Sequence, residues 1–187
     1  MTLFVNSEDN RKLYLAHPPR TGGRFLSHLL SGNGWIPHYD NFDIIYKNQE
    51  LPHCDLSRYS KFIDVENVTI LGIVRDPLER YVSALSIISH EPSELSRWKY
   101  SNLFTPQTSF FAARSHWWHF EQGFGPDLIS WAEDTTKSSL PEIPTIPKTD
   151  FDLFPKIKAT TEHLMFCQLF YFEDYERFGY RPLLQDH

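Results

Sequence analysis

Residues 17–24 read HPPRTGGR, and residues 73–83 read IVRDPLERYVS. Each segment sets an arginine on a turn: Arg20 beside Thr21, Gly22 and Gly23, and Arg75 beside an Asp-Pro pair with Ser83 further along. Paired glycines let backbone N–H groups approach a ligand closely, and the start of a following helix favours an anion there. A guanidinium adds a full charge and a planar fork that matches phosphate or sulfate oxygens. The chemistry that suits these residue types is the gripping of a tetrahedral oxyanion. It suits a metal-bound triphosphate less well. A kinase-type loop would read G-x-x-x-x-G-K-[ST], and PPRTGGRF lacks the lysine followed by a hydroxyl.

Such turns need rigid elements on either side. Residues 12–17, KLYLAH, set Leu13 and Leu15 against Tyr14 and predict a strand, read as the first of the chain. Phe25, Leu26, Leu29 and Leu30 then share one helical face, and the GNG at 32–34 ends that helix. The pattern repeats further on. Residues 67–74, NVTILGIV, predict a strand buried on both faces. Pro77 opens a helix with Asp76 at its positive end, continued by Leu78, Tyr81, Val82, Leu85 and Ile88. Two strand–loop–helix units imply an α/β fold, three-layered around a central parallel sheet. Ligands in such folds sit at the carboxyl ends of the strands, where both turns are expected.

Other stretches carry weaker patterns. Residues 107–121 are expected to be helical, and 126–134 a short helix opened by Pro126. Pro141, Pro144, Pro147 and Pro155 mark an extended loop. Residues 156–178 predict a closing helix whose last part, YFEDYERF, packs Tyr and Phe inward and leaves its acidic residues solvated.

The bulk composition limits what the chain can be. With 187 residues, 41% of them hydrophobic and 16% aromatic, it suits one core and a single domain over 1–187. A net charge of −6 argues against a protein that coats nucleic acid, but leaves room for one local basic pocket. Two cysteines are too few for a disulfide framework. No apolar run reaches the ~18 residues of a membrane span, and the N-terminal residues lack a signal-peptide layout. The expectation is a soluble, cytoplasmic protein with no membrane span.

Taken together, the motifs resemble those of the sulfotransferases that use 3′-phosphoadenosine 5′-phosphosulfate. HPPRTGG resembles their 5′-phosphosulfate loop, often P-K-T-G-G-[TS], and IVRDPLERYVSAL resembles their 3′-phosphate segment, commonly R-D-P-x-x-R-x-x-S. QTSFF at 107–111 is similar to a segment of the carbohydrate (2-O-type) branch, and YFEDYERFGY at 171–180 to the family's usual ending. The resemblance implies a P-loop-like sulfotransferase fold and transfer of a sulfuryl group to a hydroxyl, with a glycan as the favoured acceptor. It also implies roles. Arg20 stands where the family usually has a catalytic lysine, and some protein-tyrosine members also have arginine there. Thr21, Gly22 and Gly23 match the 5′-phosphate loop. Arg75 and Ser83 match the 3′-phosphate contacts. Lys148 lies in a PKT loop similar in place to one that closes over the nucleotide. Arg24 departs from the usual Thr or Ser and offers a charge in place of a hydroxyl.

A base is needed near the acceptor hydroxyl. His53 is placed similarly to a histidine of the 2-O-type relatives, with His38 second and Glu50 third. Arg80 is expected to be structural, paired at the surface with Asp76 and Glu79. His116 and His119 at i, i+3 lack a convincing third metal ligand. Trp117 and Trp118 fit core packing better than sugar stacking, and Cys54 reads as a small semi-buried thiol. Two rival functions remain: a nucleotide kinase on the same fold, and a non-catalytic domain that binds adenosine 3′,5′-bisphosphate.

Overall fold

The computed structural model describes residues 1–38, 45–46, 49–50, 53–60, 68–90, 102–141, 144–145 and 155–181. A five-stranded sheet has the order β3-β1-β2-β6-β7, formed by β1 (Thr2–Asn6), β2 (Lys12–Ala16), β3 (Trp35–His38), β6 (Thr69–Val74) and β7 (His116–His119). A small ribbon pairs β4 (Ile45–Tyr46) with β5 (Gln49–Glu50). The helices are α1 (Gly23–Ser31), α2 (Leu56–Tyr59), α3 (Pro77–His90), α4 (Pro126–Thr136), α5 (Thr161–Phe170) and α6 (Phe172–Phe178).

The centre of the sheet is parallel. β2 pairs with β6, with Leu15 opposite Leu71, and β6 pairs with β7, with Ile73 opposite Trp118. β1 runs antiparallel to both β2 and β3, so the sheet is mixed rather than wholly parallel. β1 also precedes the strand expected to be first. The two form a hairpin whose turn is held by Asn6, its Oδ1 accepting from the Glu8 and Asp9 N–H groups.

Strand alternation sends side chains to two cores. Leu13, Leu15, Leu71 and Ile73 meet Phe25, Leu26 and Leu29 of α1 and Leu128 and Ala132 of α4 on one face. Tyr14, Ala16, Ile70 and Val74 meet Tyr59, Phe110, Phe111 and Phe178 on the other. Gly72 permits this close packing: a Cβ there would lie 2.6 Å from the Ala16 carbonyl oxygen and 2.9 Å from Phe111 Cζ.

Two further expectations are corrected. Residues 107–121 are not one helix but a 3-10 turn at Gln107–Phe110 followed by β7. The aromatic run HWWH suits a pleated surface, and parallel pairing with β6 decides the outcome. The closing helix divides at Tyr171 (φ −107°, ψ 26°) into α5 and α6. The consequence for function is simple. β2, β6 and β7 all end on one rim, and the turns that follow them lie side by side there.

Candidate functional site

The first turn is shaped by sterics. Arg20 takes a left-handed φ of +68°, rare for a residue with a Cβ, and Gly22 follows at +85°. A Cβ on Gly22 would lie 2.7 Å from Phe124 Cζ, and one on Gly23 only 2.2 Å from His17 Cδ2. The His17 ring therefore lies directly against the loop backbone. Thr21 is fully buried, and its hydroxyl donates to the Pro18 carbonyl at 2.8 Å. Its side chain staples the turn.

The helix start that follows is unusual. Gly22 offers no side-chain cap, and the first turn of α1 contains no acid. It carries Arg24 instead, half-buried, although a cation at a helix N-terminus is electrostatically unfavourable. An anion bound there would reverse that penalty.

The second turn is shaped by hydrogen bonds. Arg75 N–H donates to Gln107 Oε1 at 2.9 Å, and Gln107 Nε2 donates to the Arg75 carbonyl at 2.8 Å. Asp76 N–H donates to Glu121 Oε1 at 2.8 Å. Asp76 Oδ1 caps α3 by accepting from Glu79 N–H at 3.0 Å. The Arg75 guanidinium lies over the Phe120 ring, 4.6 Å from its centroid.

The two turns meet. Arg20 Nε donates to Ser83 Oγ at 3.0 Å, and Arg75 Nη1 reaches the Arg20 carbonyl at 3.4 Å. Arg80, from α3, holds the first turn from below, with Nε donating to the Pro19 carbonyl at 3.0 Å and Nη2 to those of Leu103 and Thr105 in the neighbouring segment. Arg80 is thus structural as expected, but fully buried against carbonyls rather than paired at the surface. Arg20, Arg75 and Ser83 share one rim with Gly22, Gly23 and Arg24.

His53 sits beneath this rim. Its ring packs edge-on against His17 at 4.8 Å between centroids. Burial lowers its pKa to about 3, with the Met1 amino group and Arg80 adding to the effect. Burial also holds His17 well below the usual histidine range, helped by His53. Both rings are neutral at neutral pH. His38 is exposed at the end of edge strand β3, with β1 and β2 between it and β6. Glu50 belongs to β5, its side chain outside the described residues, and Lys148 lies outside them altogether.

The remaining candidates resolve as packing. His116 and His119 lie on a strand, where i and i+3 point to opposite faces. His119 packs on Tyr180. Among the described residues no group of three His, Cys, Asp or Glu is placed to hold a metal ion. Trp117 packs on Phe178, and Trp118 donates to the Gly123 carbonyl. Cys54 is buried, more fully than expected, and its thiol pKa is raised by burial. A groove of about 530 Å³ between Arg11, Trp35, Thr69 and Lys137 lies at the opposite rim and includes none of the candidate residues.

Sequence reasoning missed Gln107 and Glu121 as supports, Phe120 and Phe124 as walls, and His17 beneath Gly23. Two carried a signal: His17 directly precedes the loop, and Gln107 opens the QTSFF segment. No family model, curated protein or solved structure matches the chain. Among the described residues no helix is long and apolar enough to cross a membrane.

Proposed function

We propose that this chain is a sulfotransferase of the P-loop-like type, which moves a sulfuryl group from 3′-phosphoadenosine 5′-phosphosulfate to a hydroxyl, with a carbohydrate as the favoured acceptor. The observation that carries this reading is the convergence of Arg20, Ser83 and Arg75 at one rim, beside an uncapped helix start bearing Arg24. The residues suit a nucleotide with phosphate at both ends. The Gly22–Gly23 backbone and α1 receive the 5′ side, and Arg75 and Ser83 receive the 3′-phosphate.

Sulfuryl transfer resembles phosphoryl transfer in having a loosely bonded central group with attacking and leaving oxygens in line. Arg20 remains charged at any working pH and stabilises the charge that grows on the leaving phosphate. His53 removes the proton from the acceptor hydroxyl; because burial depresses its basicity, its contribution falls below the ~10²–10⁴ in rate of a base whose pKa matches the working pH. Because burial keeps His53 unprotonated far into acid, loss of the base form should not be what limits activity near pH 6.

The test is a sulfate-transfer assay with labelled donor across glycans, phenols and tyrosine peptides. Transfer to a glycan is expected, and His53→Ala should keep adenosine 3′,5′-bisphosphate binding while losing transfer. Binding without transfer to any acceptor would replace the enzyme with a nucleotide-binding domain. Magnesium-dependent turnover of ATP would favour a kinase.

A further inference from the structure

The second turn is held by side chains distant in sequence, and each of them is held in turn by the C-terminal segment. Gln107 is fully buried and pairs its amide with both backbone groups of Arg75. β6 ends at Val74, so without Gln107 these groups would have no strand partner. Gln107 N–H and Thr108 N–H both donate to Asp174 of α6, at 2.8 Å each. Asp174 is fully buried, against the expectation that the acids of this helix are solvated. Glu121 repeats the arrangement. One of its oxygens accepts from Asp76 N–H, and the other accepts from the Tyr180 hydroxyl at 2.9 Å.

Stability alone does not require this construction. Burying a carboxylate is costly unless it is hydrogen-bonded, and an apolar residue would fill the space without that cost. What the polar chain provides is a fixed position for two consecutive backbone units. We propose that Gln107 and Glu121 are positioning residues that aim Arg75, and that Asp174 and Tyr180 make the C-terminal segment the element that sets recognition of the 3′-phosphate. This rests on the nucleotide reading above and adds to it the part of the chain that controls the affinity.

Two readouts test it. One is amide exchange at Arg75 and Asp76 by NMR. The other is the affinity ratio for adenosine 3′,5′-bisphosphate over adenosine 5′-phosphate. Gln107→Ala should deprotect the Arg75 amide and cut the ratio about fivefold, which is one lost hydrogen bond of about 1 kcal/mol. Tyr180→Phe should act mainly at Asp76, with a smaller cut. It carries the test if Gln107→Ala does not fold. Glu176→Gln, an exposed position on the same helix as Asp174, should change neither readout. A wild-type protein that binds both nucleotides equally overturns the 3′-phosphate reading, and this proposal with it. A wild type that discriminates, with variants that lose amide protection yet discriminate equally well, overturns this proposal alone.

Discussion

The turns after β2 and β6 face the same rim but are built in different ways. The first is steric: two glycines, a left-handed arginine, and the His17 ring pressed against Gly23. The second contains no glycine and takes its shape from Gln107, Glu121 and Asp76. Their helices differ in the same sense. α3 is capped by its own Asp76, whereas α1 starts with a glycine and a cation. The difference teaches how the work is divided. α1 leaves its N-terminal backbone without a side-chain cap, while the α3 side presents only side chains, Arg75 from the turn and Ser83 from the helix.

Substitutions that break this contrast should differ widely in effect. Arg80→Met removes the guanidinium that ties the first turn to the 103–105 segment and strands three carbonyls, which should cost about 4 kcal/mol in urea unfolding. Gly23→Ala drives a methyl into the His17 ring, and about 3 kcal/mol is expected, with nucleotide-induced stabilisation lost as well. Acid sensitivity should arise in part beneath the first turn, where buried His17 packs on half-buried His53. His17 and His53 have lowered pKa values in the folded state, so the unfolded chain takes up protons first as pH falls. These histidines should make stability decline as pH falls below about 6.5, by up to about 1.4 kcal/mol per pH unit for each, and the buried Met1 amino group, lowered from 8.0 to about 5, adds a decline that begins near pH 8. His53→Leu should flatten part of that slope in unfolding curves taken across the range. The smallest effect belongs to the second turn. Asp76→Ala removes a cap and should cost about 1 kcal/mol, with the melting point only slightly lower.

Legibility followed sequence distance. The paired glycines, the Asp-Pro helix start and the apolar face of α1 are local signals, and they sit where the pattern placed them, whereas α3 buries Ala84 and Ile87 and leaves the expected Leu85 and Ile88 half-buried. Gln107 lies 32 residues from Arg75, and Asp174 lies 67 from Gln107; nothing local marks either contact. Asp174 reads as a surface acid because its burial depends on two backbone donors contributed by another segment. HWWH is short enough to suit helix or strand, and only pairing with β6 decides between them. Arg80 shows the middle case, since its structural role follows from its helix position but its carbonyl partners do not.

The central claim is that both arginines grip opposite ends of one nucleotide. Isothermal titration with adenosine 3′,5′-bisphosphate tests it most directly, comparing the wild type with Arg20→Ala and Arg75→Ala. The account predicts one equivalent bound, with each substitution weakening it at least about tenfold, as loss of a charge-assisted contact requires. Undiminished binding in either variant, or none in the wild type, would contradict it.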